Sequence, residues 1–226
     1  MALVLGAGLL SVAVRGVGGP SGGLERADLS ASAPLVKTAG GAPGRSDDRP
    51  DGCRTDDRDA TTPRAAPADA IWRGVAGAQV PTSATAGPLL AGGPVWWCFA
   101  RTPMGAVMAA HVIPLKLGDS GWQAVAERQV APGRERDFLI AKRARSREST
   151  TARGSASLAG FAVASYSPSR AEVRLLVRSG QGALFTTSVS LKWGEGDWKA
   201  VPRPDGTLSA APAPVEGTQG FVMWRT

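Results

Sequence analysis

Hydrophobic positions divide the chain of 226 residues into stretches of different rhythm. Met1 to Val14 (MALVLGAGLLSVAV) is uncharged and almost wholly apolar until Arg15 interrupts it. Pro20 to Ala70 is nearly free of bulky apolar side chains, and periodicity begins only at Ile71. Val80 to Trp97, broken by Pro81, Gly87-Pro88 and Gly92-Gly93-Pro94, predicts an irregular or edge-strand entry. Thr102-Pro103 pairs an N-cap residue with proline at the first helical position. Met104, Val107, Met108, His111 and Leu115 then recur on one helical face, so a helix is predicted to end near Pro114. Trp122, Val125, Ala126 and Val130 predict a second helix over Gly121 to Val130. A third is predicted from Arg134 to about Glu148, with Phe138, Ala141 and Ala144 as a narrow apolar stripe.

Beyond Gly154 the period changes from 3.6 to 2. Ser157 to Tyr166 and Ala171 to Arg178, joined through Ser167-Pro168-Ser169, predict a hairpin. Ala183 to Trp193 alternates Phe185, Thr187, Val189, Leu191 and Trp193 with polar residues, and Gly194-Glu195-Gly196 turns into Asp197 to Val201. The fold class that follows is α+β: three N-terminal helices packed on one face of a curved antiparallel four-stranded meander. Pro202 to Gly220 reads as a Pro- and Gly-rich tail, and Phe221-Val222-Met223-Trp224 as a cluster that packs back onto the sheet or adds an edge strand. The expected organisation is an apolar segment at 1–19, a disordered Gly-, Pro- and Asp-rich linker at 20–70, and one α+β domain at 71–226.

Composition changes this picture in two places. The 29 Gly and 17 Pro exceed average usage without a collagen period, and they concentrate in the linker, the irregular entry and the tail. Up to Ala70 eight basic residues meet nine acidic ones, a net of −1, whereas the remainder carries eighteen against ten, a net of +8. Arg outnumbers Lys 21 to 5, a coding bias that weakens any argument from arginine counts to nucleic acid.

Fourteen helical residues reach about 21 Å, short of a bilayer core of about 30 Å. No basic residue precedes the run and no convincing cleavage site follows it. A membrane anchor whose first turn lies upstream of Met1 is the favoured reading, with a cleaved signal or a bland buried segment as alternatives. The linker, at about 50 residues, has an r.m.s. span near 40 Å and holds the domain clear of a membrane surface.

The strings SATAGP at Ser83 to Pro88, FARTPMGAVMAA at Phe99 to Ala110, WQAVAERQV at Trp122 to Val130 and W-x-x-GDW at Trp193 to Trp198 carry a resemblance. They resemble an uncharacterised actinobacterial domain family found after a single membrane helix and a Pro- or Ser-rich linker. The order of elements is similar to the nuclear-transport-factor-2-like cone, related to cystatin-like folds. The resemblance covers roughly 71–226 and implies a cone fold, an association with conjugative elements, and a likeness to the tethered scaffold domains of type IV secretion systems. Function then enters as an expectation: a non-enzymatic, single-pass envelope protein with its domain extracytoplasmic, serving as an assembly or scaffold module. Its partners would be envelope or secretion-system proteins or further copies of itself. The alternatives are a small-ligand-binding cone and a basic DNA-associated protein.

Candidate chemistry is sparse. His111 is the only histidine, no Cys-x-x-Cys occurs, and neither RSGQGALF nor WGEGDW has the context of a phosphate loop, so no catalytic, metal or cofactor residues are expected. Met104, Met108, His111, Trp122 and Phe161 are candidates to line a cone cavity, against the plainer reading that they are core. Arg134, Lys142, Arg143, Arg145 and Arg147 are candidates for an anionic-partner surface, against a solvated helix face. Cys53 lies in the predicted linker and Cys98 beside Trp97; two separate thiols are favoured over a disulfide, which would tether a disordered segment.

Overall fold

The computed structural model describes residues 49, 52–145 and 156–225, all within one compact unit. Two strands, β1 (Ile71–Val75) and β2 (Ala78–Thr82), form a separate antiparallel hairpin. Three helices follow: α1 (Pro103–Lys116), α2 (Trp122–Gln129) and α3 (Arg134–Arg145). Then come β3 (Ser157–Ser167), β4 (Arg170–Arg178), β5 (Leu184–Gly194), β6 (Asp197–Ala200), β7 (Ala213–Val215) and β8 (Val222–Met223). The larger sheet has six strands in the order β6-β5-β4-β3-β8, with β7 pairing β5 beside β6.

This corrects the expected fold class. The helices are mid-chain, preceded by a hairpin, and the sheet is two strands larger than a four-stranded meander. The three helices and the four long strands lie close to where periodicity placed them. The additions to the four-stranded meander are β7, which was not expected, and β8, the edge-strand alternative named for Phe221 to Trp224; they are three and two residues long. Alternation cannot be recognised in so few residues, and the prolines and glycines around them mask it further. The arrangement of three helices on a cone is not retained: α1 is the helix that packs across β3 to β6, whereas α3 buries only Leu139.

Helix α1 starts as the sequence implies. The Thr102 hydroxyl accepts from the Gly105 N–H at 3.0 Å, and Pro103 occupies the first turn. The helix runs through Pro114 to Lys116, and eleven of its fourteen residues are buried, so it is a core helix apolar on most sides rather than a one-stripe helix. Gly105 is required at its start, because a β-carbon there would sit 1.9 Å from the Ala100 carbonyl oxygen. The inner face of the sheet meets α1 through Phe161, Val173, Val189, Leu191 and Trp198, each essentially sealed from solvent.

The domain boundary at Ile71 is too late. Cys53 is buried, Ala66 belongs to the core cluster, and Asp69 accepts from the Ser83 hydroxyl at 2.9 Å and the Thr85 N–H at 3.0 Å. Residues 52–70 therefore form a strap on the folded unit. The expected anchor at 1–19 and the linker residues 20–48 lie outside the described residues. Among the described residues no helix is long and apolar enough to cross a membrane.

Candidate functional site

His111 lies on α1 with both ring nitrogens engaged. Nδ1 faces the Val107 carbonyl at 2.7 Å and so carries the proton, while Nε2 accepts from the Trp224 indole N–H at 3.2 Å. Trp224 and Phe161 pack edgewise against the imidazole, with ring centroids 5.2 and 6.3 Å away. Burial pulls the His111 pKa down to about 4, so the ring is neutral at ordinary pH. Of the expected cavity residues, Met108, His111, Trp122 and Phe161 are buried members of the packed interior.

Met104 is the exception. It borders an open groove of about 1010 Å³ between the strap and the start of α1. The strap contributes Asp56, Asp59 and Arg64, and the opposite wall contributes Thr85, Ala86 and Thr102. Asp56 is held at about 2 by its side-chain hydrogen bonds with Arg58.

The densest polar cluster lies where the strap begins, and sequence reasoning missed it. Cys53 and Cys98 form a disulfide buried to within 2% of full enclosure, which overturns the preference for separate thiols. The earlier objection fails because Cys53 belongs to an ordered strap. Cys98 has a left-handed backbone, φ 71°, and the Asp197 carboxylate steadies that loop by accepting from the N–H groups of Cys98 at 2.7 Å and Phe99 at 3.1 Å. The N–H of Trp198 reaches the same carboxylate at 2.9 Å. Burial nevertheless pushes the Asp197 carboxyl up to about 6, the three backbone donors and Arg49 pulling against it.

Arg49 ties the cluster to the strap. It pairs with Asp57 at 2.9 Å, donates to the Phe99 carbonyl at 3.3 Å and to the Thr55 hydroxyl, and stacks 4.9 Å over the Trp193 ring. The Asp57 carboxylate also accepts from the Arg101 N–H at 2.8 Å, and the Trp198 indole donates to the Ala100 carbonyl at 2.9 Å. Nearly every polar group here fixes the backbone of residues 98–101, which lead into the cap of α1. The W-x-x-GDW motif held the signal: it supplies Trp193, Asp197 and Trp198 together.

The basic residues of α3 fare differently from one another. Arg134, Lys142 and Arg145 are exposed, with the Lys142 ammonium 3.2 Å from the Asp205 carbonyl. Arg143 is half-buried and stacks 5.2 Å over the Trp122 ring, so it is partly a packing residue. Phe138 sits among them half exposed. Arg147 lies outside the described residues. Among the described residues no group of three His, Cys, Asp or Glu side chains converges as a metal site.

A family model described as Domain of unknown function (DUF8175) matches residues 34–223. No curated protein and no solved structure matches the chain.

Proposed function

The chain belongs to the DUF8175 family, and we propose that it is a non-enzymatic assembly module of the cell envelope, tethered through its N-terminal segment with its domain outside the cytoplasm. The observation that carries this reading is the buried Cys53–Cys98 bond, because disulfides form and persist in oxidising compartments and are rare in the cytosol. The bond joins the strap to the loop that starts α1, so closing it is part of completing the domain. The absence of enzymatic work is supported by His111, whose two nitrogens are both committed to structural hydrogen bonds and leave no lone pair for base catalysis.

The resemblance to domains that follow a membrane helix in conjugative elements supports the tether and a scaffold role in conjugative transfer. Arg134, Lys142 and Arg145 on α3 are the surface this reading assigns to acidic envelope or secretion partners. Fractionation of cells making the full chain, with thiol alkylation before and after reduction, tests it. The expected result is a membrane-bound chain whose Cys53 and Cys98 react only after reduction and denaturation. Recovery in the soluble cytoplasm with both thiols alkylated would sink the proposal.

A second reading, small-ligand binding, draws support from the groove beside Met104. A thermal-shift screen in which Met104→Glu abolishes ligand-induced stabilisation would favour it over assembly.

A further inference from the structure

Helix α1 packs on one face of the larger sheet, and the strand registers define which residues belong to the other, whose middle is covered at Leu176 and the Thr186 hydroxyl. Val173 and Val189 pair and point inward, so the alternate pairs Arg174 with Ser188 and Glu172 with Ser190 point outward. Arg170, Arg174 and Arg178 therefore share the outward face of β4, all exposed, along about 27 Å of strand. Lys192 lies opposite Arg170 on β5. Against these four cations the outward face of β3, β4 and β5 sets one acid, Glu172, a net of +3. Among the described residues none of the four cations is in an ion pair.

A small apolar surface lies at one end of the cations. Met223, Gly160, Leu176, Thr186 and Ala213 form one registered row across β8, β3, β4, β5 and β7. Leu176 is sealed, but Met223 at the end of the row is 37% exposed, and Arg174 lies 5.1 Å over the half-buried Phe221 ring. A dissolved polyanion offers only charge to such a face. A bilayer surface offers anionic headgroups to the arginines and an apolar boundary layer to Met223 and Phe221.

We propose that the exposed arginine row on this outward face docks the domain onto an anionic lipid surface. The inference rests on the tethered reading above, which keeps the domain near a membrane, but its residues are different and it fails separately. Each arginine near an anionic bilayer contributes about fivefold to partitioning, so removing three lowers it on the order of 100-fold.

The test uses the full chain with a fluorophore at Ser190→Cys, an outward position on β5, and vesicles carrying a headgroup acceptor. Energy transfer is expected to rise in phosphatidylglycerol-rich vesicles over phosphatidylcholine vesicles and to fall at high salt. Arg170→Gln/Arg174→Gln/Arg178→Gln is expected to remove the rise, and Glu172→Gln to increase it, which guards against misfolding of the triple variant. Equal transfer in both lipids, a rise that survives the triple variant, or displacement by DNA at matched ionic strength overturns lipid docking. A chain that incorporates into both vesicles with equal transfer keeps its tether and loses the docking face. One that associates only with anionic vesicles, through the arginines, keeps the docking face and loses the tether.

Discussion

Asp197 and His111 are buried titratable groups whose protonation equilibria move in opposite senses. Burial raises the Asp197 carboxyl from 3.8 to about 6, so the folded chain holds a proton that the unfolded chain releases. Its contribution is fully present below pH 3.8 and is lost as pH rises through about 6. His111 is depressed from 6.5 to about 4, so its contribution is present above pH 6.5 and is lost as pH falls through about 4. Each amounts to about 3 kcal/mol by linkage, and between about pH 4 and 6 the two slopes oppose. The two therefore offset each other in the parent domain, whose slope over that window is expected to lie between those of the two single variants. Asp197→Asn, which leaves His111 alone, should become more stable as pH rises; His111→Gln should become less stable. Urea midpoints at a series of pH values measure this, and surface carboxylates common to all three proteins drop out of the comparison. A parent curve as steep as either variant's contradicts the cancellation. Neither role was legible in the chain: Asp197 read as the first residue of a strand after a glycine turn, and the partner of His111 is 113 residues away.

At the scale of elements, legibility followed length. Eleven alternating residues in β3 and β5, and the Thr102-Pro103 start of α1, announce themselves because period and cap chemistry are local. The β1–β2 hairpin was hidden because its turn is Ala76-Gly77, without the Asn-Gly or Asp-Gly signature. Both turn residues have positive φ, 49° at Ala76 and 79° at Gly77, a conformation that alanine adopts at a cost of about 1 kcal/mol. Ala76→Asn should relieve part of that cost and raise the melting temperature by about 2–4 °C. A lowered melting temperature would mean that the packing of Ala76 against the core outweighs its backbone strain. Glu195-Gly196 repeats the same turn between β5 and β6, where Glu195 Oε2 also holds the Lys199 ammonium at 2.7 Å. That second contact makes Ala76 the cleaner position for the measurement.

Across the whole molecule, the strap is what sequence reading placed outside the domain and the fold takes in, and the tail, placed inside the domain without an element of its own, supplies β7. Both are rich in proline, glycine or charge, and both are held by a few specific contacts rather than by an apolar stripe. The strap depends on a cross-link over 45 residues, for which chain entropy alone gives about 4 kcal/mol and experience with native disulfides about 2–4. Cys53→Ser/Cys98→Ser should accordingly lower the melting temperature by roughly 5–15 °C while the helix and sheet signals of circular dichroism persist below it. An unchanged melting temperature would show that Arg49 and Asp197 hold the strap without the bond. The contact between Trp224 and His111 reaches further still, into timing. At about 5–20 residues per second, the 113 residues separating them take roughly 6 to 23 s to synthesise. Throughout that interval α1 lacks the indole that covers its histidine, and β3, once made, lacks the strand that closes its edge. The core around His111 is therefore completed only when the last described strand has been made.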